Sequence, residues 1–228
     1  MVCFLLWGTA PLTIANSKID DAGLQQSPEL LIADFNTPPP DAENIGLNNI
    51  GGQYSIWDRD PTDDTQTCTM AFVQDPIVDN GYALQLNYDV DSPNPAYNGF
   101  WMKLMQKDFT GYNTLNFYIR GDTEARFTSR LKIELKDNQK TASYVVGGIT
   151  ESWQKYSIPF GKYRLIKDWS AMNEFVIVFD DIVSKPKAGT IYVDHITLSM
   201  EPVSANGAKR RSVKKVAVTK EVKTSSSQ

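Results

Sequence analysis

The sequence predicts an all-β protein built as a two-sheet antiparallel β-sandwich. Three observations carry that prediction. From Tyr82 onward, apolar and polar residues alternate with a period of two, the spacing at which successive strand side chains point to opposite faces. The alternating runs have strand length and are separated by Asn, Gly, Asp and Pro turns. No amphipathic helix of three turns is present, and "WSAMNEF" (169–175) could hold one turn at most. At 228 residues the chain can build one such sandwich with a real core and still carry long ends.

The N-terminal "MVCFLLWGTAPLTIA" (1–15) is an apolar run ending in Thr-Ile-Ala, which fits a secretory signal peptide cleaved after Ala15. No Lys or Arg precedes the run, and a buried N-terminal strand is the competing reading. The run is too short to span a membrane. Residues 16–28 are polar and Gln/Ser-rich, a linker. "ELLIADFN" (29–36) opens the folded part, and the prolines of "TPPPDAEN" take the chain out of the sheet because they cannot donate to a ladder. Strand-like pieces follow at 53–57 and 67–73.

The clearest alternation comes next. "YALQLNYDV" sets Leu84, Leu86, Tyr88 and Val90 against Gln85, Asn87 and Asp89. In "NPAYNGFWMKLM" (94–105), Phe100, Met102 and Leu104 share one side, and Trp101, Lys103 and Met105 the other. "TLNFYIRGD" sets Leu115, Phe117 and Ile119 against Asn116, Tyr118 and Arg120. "RLKIELKD" sets Leu131, Ile133 and Leu135 against Lys132, Glu134 and Lys136. "FVIVFDD" and "TIYVDHITLSM" are apolar and β-branched, as central or final strands are. The folded domain is thus expected over 29–201.

After Met200 the pattern stops, and residues 202–228 read as a disordered tail. The net charge is −4, but the tail carries +6 and the remainder −10. An acidic body excludes nucleic-acid binding by the folded domain, while the basic tail can contact an acidic partner. Two cysteines, Cys3 and Cys68, give no disulfide framework and no Cys-based zinc site. The single histidine, His195, excludes a multi-His metal centre and disfavours a Ser-His or Cys-His pair.

Several segments occur in a familiar order: "LLIADFN", "YNTLNFYIRGD", "RLKIELKD", "ITESWQKYSIPFGKY", "NEFVIVFDD" and "GTIYVDHITL". In this the chain resembles galactose-binding-like jelly-roll domains over roughly residues 29–200. Many of these are carbohydrate-binding modules attached to bacterial glycoside hydrolases; the group also includes the domain of the complex I intermediate-associated protein. The resemblance implies a structural calcium tying the first strand to the last, with Asp34 and Asn36 of "ADFN" and Asp194 of "YVDH" as its protein ligands. Calcium takes six to eight oxygens. Asn36 stands where the family more often has Glu, so one charge is lost, and the competing reading is a pair of ordinary strand-end carboxylates.

A second acidic group, Asp58, Asp60, Asp63 and Asp64 in "WDRDPTDDTQT", has an EF-hand-like opening. Its sixth position is Asp63 rather than Gly and its twelfth is Thr69 rather than Glu, so a solvated acidic loop is expected. Glu134, Asp89 and Asp194 are available carboxylates, but nothing singles out the acid–base pair a glycosidase requires, and the resembled modules are non-catalytic.

The polar side of the strands carries Asn87, Asp89, Trp101, Lys103, Asn116, Tyr118, Arg120, Lys132 and Glu134, joined by Tyr144. Sugar recognition uses this mixture: rings lie on the C–H faces of pyranoses, while amides, carboxylates and Arg bond hydroxyls. The reading is a secreted, non-catalytic module that binds a polysaccharide or glycan on its concave sheet face. Trp101 and Tyr118 stack, Arg120, Glu134, Lys132 and Asn87 bond hydroxyls, and Trp57 and Tyr97 wall the groove from adjoining loops. Two alternatives stay open. The charged residues form a cross-strand ladder on a solvated face with Trp101 under a loop; or the face and the basic tail serve protein–protein assembly.

Overall fold

The computed structural model describes residues 29–39, 45–75, 77 and 81–201. The signal peptide, the linker and the basic tail expected at 1–15, 16–28 and 202–228 lie outside the described residues. Twelve strands form within them: β1 (Glu29–Ala33), β2 (Gly46–Leu47), β3 (Gln53–Asp58), β4 (Thr67–Val73), β5 (Ala83–Asp89), β6 (Tyr97–Lys107), β7 (Thr114–Gly121), β8 (Arg130–Lys136), β9 (Thr141–Gly147), β10 (Gln154–Pro159), β11 (Met172–Asp180) and β12 (Ala188–Ser199). Among the described residues the only helical piece is a 3₁₀ turn at Phe160–Lys162. The turn expected near 169–175 gives way at Met172 to the start of β11, and Met172 and Phe175, three residues apart, are both buried because the pairing with β6 shifts register between Met172 and Glu174.

The strands make two six-stranded antiparallel sheets. The first runs β10-β7-β12-β5-β4, with β1 also on β12; the second runs β2-β3-β6-β11-β8-β9. This is the predicted two-sheet sandwich. β12 organises the first sheet. Its first half pairs with β5 through Ala188 to Val193, and its second half pairs with β1 through Ile196 to Ser199. A bulge between Asp194 and Thr197, with His195 at φ 50°, re-aims the strand between those partners.

The core lies between the inner faces. Leu84, Leu86, Phe117 and Ile119 face Phe100, Met102, Ile133 and Phe179, all buried. Tyr88 stacks on Phe179 across the gap, ring centroids 4.1 Å apart. Trp169 closes one end by stacking on Phe160 at 4.0 Å. No helix among the described residues is long and apolar enough to cross a membrane.

Candidate carbohydrate-binding face

The outer face of the second sheet is built by register. Ser55 lies opposite Trp101, Trp101 opposite Val176, Val176 opposite Glu134 and Glu134 opposite Ser143. One row therefore crosses five strands. Neighbouring strands are about 4.8 Å apart, so Trp101 and Glu134 stand about 10 Å apart with Val176 as a low floor between them. Gly99 keeps the next position low, since a Cβ there would lie 2.0 Å from the Ile177 carbonyl oxygen. Trp57 is opposite Gly99, and Tyr97 begins the same strand. Trp57, Tyr97, Trp101, Val176 and Glu134, with Lys103, Lys136 and Glu174, line a depression of about 470 Å³.

The aromatic side of the depression is held in place. The Trp101 indole N–H donates to the Ile56 carbonyl at 3.2 Å, and the Lys103 ammonium lies 5.3 Å from the ring centroid. The Trp57 and Tyr97 centroids are 5.6 Å apart, and the Arg59 guanidinium covers Tyr97 at 5.3 Å. Trp57 and Tyr97 are thus strand residues rather than loop residues.

The charged side is partly neutralised. Glu174 accepts from Lys103 at 2.5 Å and from Lys136 at 2.6 Å. Burial raises the Glu174 carboxyl, but the two lysines more than offset this and hold it below its ordinary value. Lys132 pairs with Asp180 at 2.6 Å. Glu134 forms no salt bridge among the described residues. Burial pushes its carboxyl up, only partly countered by Lys136 and Lys132. It is therefore a carboxylate in the cleft with acceptor capacity to spare.

The expectation that one face carries all the polar residues is corrected. Asn87, Asp89, Asn116, Tyr118 and Arg120 belong to β5 and β7 of the first sheet, on the opposite side of the sandwich from Trp101, Lys103, Lys132 and Glu134. Strand alternation separates inside from outside, but it does not say which sheet a strand joins. On that other face the polar groups satisfy one another. Asn87 Oδ1 accepts from Gln85 Nε2 and from the Thr190 hydroxyl, at 2.9 and 2.8 Å. Arg120 is ion-paired to Asp75 and lies 3.8 Å over Tyr192 and 5.4 Å from Trp153. Asn116 is buried against Ser199 and Ser157. Tyr118 sits 6.3 Å from the His195 ring. Tyr144 is not on an outer face: it is opposite Ile133 and packs edge-on to Tyr163 at 6.5 Å.

Sequence reasoning missed Glu174, Val176 and Lys136 as cleft residues. Lys136 lay on the same alternation as Lys132 and Glu134. Glu174 and Val176 were hidden in "NEFVIVFDD", where Val176 and Val178 make the outward side of the strand as apolar as the inward one.

The acidic loop caps itself. Asp60 Oδ1 accepts from the Thr62 amide and hydroxyl, and Asp63 from Thr65, Gln66 and Asn94. Thr65 and its neighbours hold Asp63 well below the usual carboxylate range. Of the residues that resemblance assigned to calcium, Asp34 accepts from the Asn36 amide at 3.1 Å and Asn49 Nδ2 at 3.0 Å. Asn36 Oδ1 accepts from the Tyr82 amide, and Asp194 from the His195 and Ile77 amides. No group of three or more His, Cys, Asp or Glu residues placed to hold a metal occurs among the described residues.

The sandwich thus carries, on the outer face of its second sheet, a depression lined by aromatic rings and charged side chains. The family model described as carbohydrate binding domain 30 matches residues 47–200, and the chain belongs to that family. It is a non-catalytic carbohydrate-binding domain. Among solved structures it is similar to a family 11 carbohydrate-binding module from Clostridium thermocellum in complex with a β-1,3-1,4-mixed-linked tetrasaccharide, with 16% identity, a TM-score of 0.53 and coverage of 75% of this chain and 95% of that one. It is also similar to a family 30 carbohydrate-binding module, with 17% identity, a TM-score of 0.51 and coverage of 82% and 93%. At these identities the likeness concerns the fold. Among curated proteins no match was found.

Proposed function

We propose that the polysaccharide binds in the depression on the second sheet. Trp101, Trp57 and Tyr97 offer ring faces to the sugars, and Glu134 accepts hydroxyl hydrogen bonds from the far side. Lys132, Lys103 and Lys136 supply donors beside it. The carrying observation is the row Trp101–Val176–Glu134, which sets an aromatic wall and an unpaired carboxylate on either side of an apolar floor. Tyr118, Arg120 and Asn87 stand on the opposite sheet and Tyr144 lies inward, so none of them belongs to this site.

Affinity electrophoresis of the protein in soluble glucans, mannans, xylans and acidic polysaccharides tests the reading. Mixed-linked β-glucan is the first choice, because a structurally similar module holds a fragment of it. Retardation by at least one neutral polysaccharide is expected, and it should disappear in a folded Trp101→Ala variant. Retention of full binding by that variant would contradict the site.

A structural calcium at Asp34, Asn36 and Asp194 is part of the same proposal. Its support is that Asn36 and Asp194 present side-chain oxygens, the ligand type calcium takes, which accept from the Tyr82 and Ile77 amides. Such an ion would brace the first and last strands without touching sugar. Secretion, with residues 1–15 as signal peptide, and contact of the basic tail with an acidic partner complete the proposal; both rest on composition.

A further inference from the structure

β6 changes course just beyond the proposed cleft. Its pairing with β11 runs from Tyr97 to Lys103 and resumes at Lys107, so Leu104, Met105 and Gln106 stand against Asn173 alone. Met105 and Gln106 both take the left-handed conformation, with φ 57° and 56°, although neither is glycine. A side chain strains the backbone there, and two such residues in succession concentrate the strain. The core gains little from the second of the three, since Leu104 is buried but Met105 is 57% exposed.

What the bulge does deliver is the Gln106 amide, carried across β11 to the turn after β8. Gln106 Nε2 donates to Asn138 Oδ1 at 3.1 Å and to Asn173 Oδ1 at 3.4 Å, and Asn138 Nδ2 donates back to Gln106 Oε1 at 2.8 Å. Gln106 and Asn138 are exposed. Hydrogen bonds between exposed amides replace bonds to water and contribute little to the fold, so they do not offset the strain. They do fix three amides in orientation. Each amide has two donor hydrogens and two acceptor lone pairs. One hydrogen of Asn138, both of Asn173 and a lone pair on each of the three oxygens stay unused among the described residues.

The position of the amides continues the cleft. The cleft runs along β11 between β6 and β8, with Trp101, Val176 and Glu134 as one row and Lys103, Glu174 and Lys136 as the next. Gln106 on β6, Asn173 on β11 and Asn138 just after β8 follow in the same order. Asn138 also lines a further hollow of about 220 Å³ between the β8–β9 turn and the 165–171 segment. In that hollow Lys140 and Lys167 have no carboxylate partner among the described residues. Asp137 and Asp168 are occupied by amides of their own turns.

We propose that Gln106, Asn138 and Asn173 form a polar subsite that extends the cleft, so that the preferred ligand is a long polysaccharide chain lying along β11. The rows from Gly99 to Lys103 cover about 13 Å at the rise of a strand, and the amides lengthen that track. Sugar hydroxyls take the spare donors and acceptors in place of water. The subsite rests on the cleft at Trp101 and goes beyond it by setting the length and direction of the ligand.

Calorimetry measures the affinity of a ladder of oligosaccharides, from disaccharide to hexasaccharide, cut from mixed-linked β-glucan or from whichever polysaccharide retards the wild type most. Gln106→Gly is the main variant, because glycine accepts the left-handed conformation and only the amide is lost. Its melting midpoint is expected to match or exceed that of the wild type. Its loss of affinity grows with length, from none for the shortest oligosaccharide that binds to about five- to ten-fold for the hexasaccharide, the worth of one or two hydrogen bonds. Asn138→Ala gives the same pattern. A loss independent of length, no loss at any length, or tighter binding of the hexasaccharide overturns the subsite, the last by marking the amides as an end wall. Trp101→Ala keeps the two readings apart. If it loses all binding while Gln106→Gly matches the wild type, the subsite fails and the cleft stands. If it binds as the wild type does, or if no polysaccharide retards the wild type, the cleft fails and the subsite with it.

Discussion

Phe100 and Trp101 are one peptide bond apart and serve different surfaces. Phe100 is fully buried between the sheets, while Trp101 stands in the cleft. That division was legible in "GFWMKLM", because alternation is a local property of a strand. Glu134 was legible as outward-facing but not as unpaired, since pairing depends on where Glu174 and Asp180 place the lysines. Its raised carboxyl has consequences for stability and for binding. A carboxyl whose folded pKa lies above its unfolded value favours the fold when protonated, so the stabilisation is full below the unfolded pKa and is lost as pH rises through the folded one. Glu134→Gln should therefore melt higher than the wild type at pH 7, with the gain vanishing below about pH 4, near the ordinary Glu value. The same variant should bind polysaccharide roughly ten-fold or more weakly, the worth of a hydrogen bond to a charged group. Thermal melts at both pH values and a binding isotherm check this. A lower melting point at pH 7 would show that Glu134 stabilises the fold instead.

At the scale of the element, β11 is the strand the sequence described least well. Its outward side carries Glu174, Val176, Val178 and Asp180, and the two valines in the middle erase the polar alternation over 175–179, so its role as the floor of the cleft comes only from its neighbours β6 and β8. Sheet membership is non-local. The alternation of β5, β7, β6 and β8 is equally clean, yet two of these strands lie on each side of the core. That is why Tyr118 and Arg120 were grouped with Trp101. Across β6, β11 and β8, Glu174 is the shared partner of Lys103 and Lys136. Glu174→Gln should destabilise by about 1–2 kcal/mol in low salt, and the difference should shrink in molar salt as screening weakens the pairs. Denaturant melts at the two salt concentrations measure it. An unchanged midpoint in low salt would mean that the two lysines find equal partners elsewhere.

At the scale of the molecule, the fold class followed from composition and period alone, because a sandwich demands only strands with one apolar face and turns between them. The family match ends at residue 200, and β12 ends at Ser199. Removing residues 202–228 should accordingly leave the melting midpoint within about 1 °C and polysaccharide retardation unchanged; a large loss of stability would show that the valines of the tail pair with a sheet.

The two outer faces of the sandwich make competing claims to the ligand, and one pair of variants separates them. Trp101→Ala and Tyr118→Ala each remove one outward ring, on the second and first sheet respectively. Each is compared with the wild type in gels containing mixed-linked β-glucan, or whichever polysaccharide retards the wild type most, with folding confirmed by thermal melting. The cleft on the second sheet predicts that Trp101→Ala runs unretarded while Tyr118→Ala is held back as the wild type is. Loss of retardation in Tyr118→Ala, with Trp101→Ala still retarded, would contradict that assignment and move the binding face to the other sheet.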